Sequence, residues 1–235
     1  MCVLNEEEHI ERALLSLLRI KDIDYIHILD GYWWHPGIEE KIKKDGFNST
    51  DKTCDIVADF GLSQIPVLIR PATKLYLSES EKRNYQLQLI DEQEKDDYWV
   101  FVLDGDEILE YSVEPRQDVH LKQYLGQKDE VGMVLSEGYG FSGQRFTARF
   151  IRGRHGIHYH TGTTQCIHDS KCRMISDYKN DVMETTKVFP MTQFKLVNYW
   201  TMKGRQRIME KDTLFQVLKN RKIMDCIWES SVSKS

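Results

Sequence analysis

Cysteine is scarce in this chain. Five residues, at positions 2, 54, 166, 172 and 226, make an odd number with no CxxC pair and no zinc-finger spacing. That excludes a dense disulfide framework and points to a reducing compartment. Basic charge is not in excess either: 32 Lys+Arg stand against 37 Asp+Glu, a net charge of −5. A chain of that balance lacks the basic face on which non-specific nucleic-acid binding depends, so no nucleic-acid partner is expected. No uninterrupted apolar run approaches the ~20 residues of a membrane span, and no transmembrane segment is expected. The opening residues, MCVLNEEEHIERALL, carry three consecutive glutamates where a secretory leader carries positive charge. The expectation is a soluble, cytoplasmic protein. Repeats and low-complexity stretches are also missing. With 40% hydrophobic residues over 235 positions, the chain has enough apolar material for a core without staples.

Through the first 110 residues, short apolar runs alternate with amphipathic ones. Cys2-Val3-Leu4 reads as a strand stub. Asn5 follows as an N-cap with Glu8 three residues on, a capping-box variant. Ile10, Ala13, Leu14, Leu17 and Leu18 then make one helical stripe. Tyr25 to Leu29 is a second strand, closed by Asp30-Gly31. The pattern predicts a helix over Thr50 to Phe60, with Cys54, Val57 and Ala58 inward and Gly61 as its stop. Ile65 to Ile69 is a third strand. Ser78 and Glu81 form a capping box before a helix running to about Glu94. Tyr98 to Leu103 is nearly all apolar, which predicts a fourth strand buried on both faces.

Such alternation predicts an α/β fold with a mainly parallel sheet and helices on both faces. Ligands of open α/β sheets bind beyond the carboxyl ends of the strands. Those ends carry Asn5, Asp30 and Asp104-Gly105-Asp106. Gly31 to Ser49 interrupts the alternation with two adjacent tryptophans; it reads either as a surface loop that tucks its aromatics inward or as a lid. After residue 110 the chain changes character. Val131 to Leu135, Arg145 to Ile151, Thr163 to Ile167 and Phe194 to Trp200 read as strands, and Gly204 to Arg221 as a last helix. The expectation is a single domain with a donor-side half over 1–110 and an acceptor-side, mixed β-rich half over 111–235.

The sharpest chemical signal is Leu103 to Leu109, LDGDEIL. Two carboxylates one residue apart at the end of a buried strand repel each other without a counter-ion, and a hard divalent cation is the usual remedy. The plain alternative is an acidic turn.

Taken in order, these pieces resemble a GT-A nucleotide-sugar glycosyltransferase of the large family 2 type, nearest the branch that includes lipopolysaccharide-core transferases. The matching residues are Asn5-Glu6-Glu7 after the first strand, Asp30-Gly31, and Ser49-Thr50-Asp51-Lys52-Thr53 before a helix. Glu81-Lys82-Arg83-Asn84 and Leu103-Asp104-Gly105-Asp106-Glu107 complete the series. In the family D-G-x-S-T-D-x-T is usually continuous, whereas here the 31–49 insertion splits it. The resemblance covers residues 1 to about 110 well and 145 to 170 loosely. It implies transfer of a sugar from a nucleotide-diphosphate donor to a hydroxyl acceptor (glycan, lipid-linked or protein), with Mn²⁺ or Mg²⁺ and inversion at the sugar.

The resemblance also implies roles. Asp30 accepts a hydrogen bond from the nucleobase, and Asn5 flanks that base or else only caps a helix. Arg83 lies near the diphosphate or ribose, or else only pairs with neighbouring glutamates. Asp104 touches the ribose or the metal, and Asp106 ligates the metal. His168-Asp169 matches a His-acidic pair of the related branch, with His168 completing the metal's coordination. Asp169 then serves as the base that takes the acceptor proton, with Glu137 as the competing base. His158 and His160 share a strand face, and with His168 they make a conceivable zinc site without a spacing signature. Lys203, Arg205, Arg207 and Lys211 form either a phosphate site or a solvated helix face. Two other functions stay open: a metal-dependent nucleotidyl- or phosphotransferase, and a non-catalytic nucleotide- or glycan-binding module of the same fold.

Overall fold

The structure, a computed structural model, describes residues 1–34, 37–111, 118–125, 131–137, 145–153, 156–160, 166–168, 174–177, 182–183 and 188–198. Asp169, the basic cluster from 203 to 211 and the helix expected over 204–221 lie outside the described residues.

Strands β1 (Cys2–Val3), β2 (Ile26–Asp30) and β3 (Val67–Pro71) form a parallel sheet in the order β1-β2-β3. β2 is buried along its whole length, and its alternation shows what covers it. Ile26 and Ile28 join Ile10, Ala13 and Leu14 of α1 (Ile10–Leu15) and Val57 and Phe60 of α3 (Thr53–Ser63) in the main core. On the opposite face, the imidazole and main-chain carbonyl of His27 meet Gln86 of α4 (Glu79–Gln93), while Leu29 packs among Tyr76 and Tyr85. Helices therefore cover both faces, and the α/β expectation holds. The 31–49 insertion contains a helix of its own, α2 (Ile38–Asp45), which buries Ile38.

The rest is β-rich. A five-stranded mixed sheet runs β4-β7-β6-β12-β5, built from β4 (Trp99–Phe101), β5 (Glu107–Tyr111), β6 (Val131–Glu137), β7 (Arg145–Arg152) and β12 (Val188–Asn198). An antiparallel sheet orders β11 (Val182–Met183), β10 (Met174–Asp177), β9 (Cys166–His168) and β8 (His158–Tyr159). A short helix, α5 (Leu121–Leu125), follows β5. Leu109, Phe150 and Leu196 from the mixed sheet enter the same core as α1.

Several local expectations are corrected. The Tyr98–Leu103 segment does not extend the parallel sheet. β4 pairs antiparallel with β7 at the edge of the mixed sheet, half-buried, and only Val102 and Leu103 beyond it are buried. An apolar run reports burial, and Phe101 finds it by stacking on Phe150 at 4.6 Å rather than by lying between two helix layers. Asn5 is not an N-cap: α1 begins at Ile10, and Asn5 sits in the left-handed region with φ +48°. Gly61 does not stop α3, which continues to Ser63; a Cβ there would meet Val67 at 3.0 Å, so glycine is needed for close helix–strand approach. Ala58 is exposed, and Thr53 takes the inward place. The Ser78 cap stands, with its hydroxyl accepting from the Glu81 N–H at 3.1 Å.

Candidate functional site

The insertion splits the D-G…S-T-D-K-T series in sequence, and the fold rejoins it. Ser49 returns to Asp30: its N–H donates to Oδ2 at 2.9 Å and its hydroxyl to Oδ1 at 2.6 Å. The Cys54 thiol approaches the same Oδ2 at 3.5 Å; burial, then Asp30 beside it, pushes this thiol up to about 12, so it stays protonated. Asn5-Glu6-Glu7 interlocks with the returning loop. The Asn5 N–H donates to Ser49 Oγ at 2.9 Å, and the Thr50 N–H to Asn5 Oδ1 at 2.9 Å. The Glu6 N–H donates to Thr53 Oγ1 at 2.7 Å, and the Lys52 N–H to Glu7 Oε2 at 3.1 Å. Polar residues were needed here because two irregular loops meet, and each leaves backbone donors that no ladder satisfies.

Asp30 is 1% exposed. Both its oxygens serve the loop closure, so its carboxylate lies beneath Ser49 rather than open at the strand end.

The second acidic strand end is built differently. Arg83 of α4 reaches Asp104 Oδ1 at 2.6 Å and Glu79 Oε1 at 2.8 Å through Nη2. Arg149 of β7 lies 3.7 Å from Asp104 Oδ2 and binds Glu107 Oε1 at 2.5 Å. The Asp104 N–H donates to Glu107 Oε2 at 3.0 Å, which closes a tight acidic turn. Glu107 is fully buried and both guanidiniums are nearly so. Burial works to raise the Asp104 pKa, but Arg83 and then Arg149 reverse this and hold the carboxyl down at about 2. A Cβ on Gly105 would meet the Glu6 side chain at 2.9 Å, so glycine lets the loop lie against the carboxyl end of β1. Asp104 and the Asn5–Glu7 turn thus share one face of the molecule.

A neighbouring strand is clamped to this face. The Asn84 side chain exchanges two hydrogen bonds with the Tyr159 main chain, donating to its carbonyl at 2.9 Å and accepting from its N–H at 2.8 Å. β8 thereby docks on α4, and Arg83 lies 5.7 Å from the Tyr159 ring centroid. β9 pairs with β8 with His168 opposite His158, which places the His168 backbone one strand from α4. The His158 ring Nδ1 lies 3.1 Å from the Gly156 carbonyl. Glu137 ends β6 opposite Val197, on the mixed sheet.

Asp106 lines a different hollow, with His9, Arg12 and Ile108. Among the described residues, no group of three His, Cys, Asp or Glu could hold a metal ion. Asp104 is a poor ligand, since guanidiniums already flank both its oxygens. A magnesium-type ion, however, takes only one or two protein carboxylates and completes its shell with substrate phosphates and water. Asp106 offers one such carboxylate, in a hollow that Arg12 and His9 also line.

Lys82 and Glu107 stood in the motif series without a role, and Arg149 and Tyr159 were given none. Lys82 is fully buried with no carboxylate bound to it among the described residues: its ammonium donates to the carbonyls of Val3 at 3.0 Å and Gly31 at 2.6 Å, and burial lowers its pKa. Its signal was the inward face of α4, where Ser80, Lys82, Arg83 and Gln86 stand in place of an apolar stripe.

No protein-family model matches the chain, and no curated protein matches it. Solved structures of S. aureus TarS are similar over part of their length. One shows 17% identity and a TM-score of 0.41, covering 60% of this chain and 22% of that one. Shorter TarS 1-349 structures match as well. The complex with UDP has 17% identity, a TM-score of 0.41 and 36% of that chain covered. The complex with UDP-GlcNAc has 15% identity, a TM-score of 0.40 and 34% covered. This chain therefore spans about a fifth to a third of the TarS chains it matches, an overlap that identifies neither a shared activity nor a shared ligand. No helix among the described residues is long and apolar enough to cross a membrane.

Proposed function

We propose that this chain is a GT-A-type glycosyltransferase that moves a sugar, with inversion, from a nucleotide-diphosphate donor to a hydroxyl acceptor. The observation that carries the proposal is Asp104, kept ionised and oriented by two buried arginines on the face where the rejoined motif closes. Such a carboxylate is a fixed acceptor for neutral hydroxyls, and the ribose of a nucleotide offers two. Arg83 acts through Asp104 as a positioning residue. Among the described residues its ion pairs join two positive charges (Arg83, Arg149) to three negative ones (Glu79, Asp104, Glu107), so those pairs leave no surplus with which to attract a diphosphate.

That deficit motivates a divalent cation, Mn²⁺ or Mg²⁺, held by Asp106 rather than Asp104, with His168 as a further candidate ligand. A cation there would offset the charge on the departing diphosphate. In the transfer, the bond from the anomeric carbon to the diphosphate oxygen breaks as the acceptor oxygen bonds to the opposite face. The acceptor's proton passes to a carboxylate. Asp169 is the proposed base and Glu137 its competitor.

Incubation with a panel of nucleotide-diphosphate sugars, with Mn²⁺ or excess chelator, tests the proposal. Metal-stimulated sugar transfer or slow sugar release is the expected result. Pyrophosphate release would make the protein a nucleotidyltransferase, and no turnover on any donor would make it a binding module. Asp106→Asn should abolish the metal stimulation with the fold intact. Asp169→Asn should lower turnover ~10²–10⁴-fold with little change in donor affinity. Near-normal turnover in Asp169→Asn, with loss in Glu137→Gln, would move the base to Glu137.

A further inference from the structure

The insertion after Gly31 is a segment that the motif series does not explain, and its first turn is fastened by backbone hydrogen bonds. The Tyr32 N–H donates to the Phe47 carbonyl at 2.9 Å and the Trp34 N–H to the Tyr76 carbonyl at 2.6 Å, while Trp33 bridges Tyr76 in parallel. The half-buried Trp33 ring packs onto a cluster with Leu29, Ala72 and Tyr76. Lys82, fully buried, lies 5.7 Å from the centroid of that ring. A buried ammonium over one face marks that face as the protein side, and the ring as a whole keeps partial exposure. The Tyr76 hydroxyl in the same cluster is buried with no hydrogen-bond partner among the described residues.

We infer that Trp33 is the stacking platform for the base of a nucleoside diphosphate, supplied by the insertion rather than by the motif series. The inference rests on the nucleotide-sugar reading above and deepens it. Three placements support it. Trp33 follows the carboxyl end of β2, where ligands of open α/β sheets bind. Asp30, expected to read the base from that end, has both oxygens engaged by Ser49, and the half-buried Trp33 follows it three residues on. Consecutive residues of α4 mark out the length of the site: Lys82 reaches Gly31 and Trp33, and Arg83 reaches Asp104. A base on Trp33 and a ribose at Asp104 would lie along that line. Stacking tolerates any base, because every base has a π-face.

The test is calorimetric titration of the full chain, with Mn²⁺ present, against uridine, guanosine and cytidine diphosphates and inorganic pyrophosphate. Trp33→Leu keeps apolar packing but removes the π-face, and Trp33→Phe keeps a smaller π-face. Trp33→Leu should weaken nucleoside diphosphate binding roughly 5- to 100-fold. Trp33→Phe should weaken it much less, and pyrophosphate should bind all three proteins alike. Thermal midpoints of the variants check that the fold is kept. Equal nucleoside diphosphate affinity in wild type and Trp33→Leu would overturn the platform and leave the nucleotide-sugar reading standing. A parallel loss of pyrophosphate binding would make Trp33 structural and also overturn the platform. If wild type binds no nucleotide at all, both fall.

Discussion

Asp30 and Asp104 are two acidic residues on one face of the same fold, and their surroundings differ in kind. Asp30 is met by neutral donors, the N–H and hydroxyl of Ser49 and the thiol of Cys54. Asp104 is met by two guanidiniums, themselves held by Glu79 and Glu107. Neutral donors that come from a returning loop make Asp30 a fastener. Charged partners that come from α4 and β7 hold Asp104 fixed and ionised while leaving its side chain 22% exposed. One carboxylate closes structure and the other presents charge.

The largest expected break in that comparison is Arg149→Met. It takes the Arg149 guanidinium away from the fully buried Glu107 carboxylate, and removing one partner of a buried pair costs about 3–5 kcal/mol. Denaturant unfolding measures it. The double change Arg149→Met with Glu107→Gln should recover part of the loss, because the stranded charge is then gone. A loss below about 1 kcal/mol in Arg149→Met would mean that the charges are not load-sharing as described.

Ser49→Ala probes the neutral end. It deletes the hydroxyl that donates to Asp30 and accepts from Asn5, and the expected cost is about 1.5–3 kcal/mol, the range for a hydrogen bond to a charged group. It should leave the acid sensitivity of the other end untouched. Unfolding curves at pH 7 and pH 3 for wild type and variant test both halves of that statement.

Acid distinguishes the two ends further. The folded Asp104 carboxyl is depressed from 3.8 to about 2. The unfolded chain therefore binds this proton first as pH falls, and the stabilisation present above about pH 4 is lost progressively down to about pH 2. One pKa unit corresponds to 1.36 kcal/mol, so the contribution is on the order of 2 kcal/mol. Asp104→Asn should flatten the stability profile in that window. An unchanged slope would place the acid-labile charge elsewhere.

The sequence disclosed much of this fold because apolar periodicity reports burial directly. Ile10, Ala13 and Leu14 of the α1 stripe, the β2 run and the Ser78 cap stand, whereas Leu17 and Leu18 lie past the end of α1 and β3 begins at Val67 rather than Ile65. It misplaced β4 because an apolar run says that a segment is buried, not which sheet buries it; Phe150, nearly fifty residues away in the chain, supplied the partner. In the site, Asp30, Arg83 and Asp104 were legible because motif order brought them forward. Lys82 and Glu107 stood in the same motifs without a role, and Arg149 was given none. Their inward placement depends on a polar helix face and on a β7–β4 pairing, and neither leaves a periodic trace. Asp30's closure beneath Ser49 was equally hidden, since the 31–49 insertion separates the two in sequence.

The smallest effect expected concerns Asn5, where the N-cap reading gave way to a loop role. Asn5 holds φ +48°, a region costly for residues with a Cβ, although asparagine tolerates it better than most. It also accepts the Thr50 N–H on Oδ1, a contact exposed enough for water to replace. Asn5→Gly gains backbone freedom at that φ and loses the hydrogen bond, so the two effects oppose each other and the net change should stay within about 1 kcal/mol. Asn5→Ala loses the hydrogen bond and keeps the strain, so it should cost about 1 kcal/mol more than Asn5→Gly. The order of the two variants is what discriminates. A helix cap ranks alanine far below glycine as well, but its loss would fray α1, whereas a loop fastener would loosen the Ser49–Thr53 segment. Amide hydrogen exchange in Asn5→Ala should therefore quicken at Ser49, Thr50 and Lys52 and leave Ala13 and Leu14 protected. Faster exchange confined to α1 would restore the cap and remove Asn5 from the loop closure.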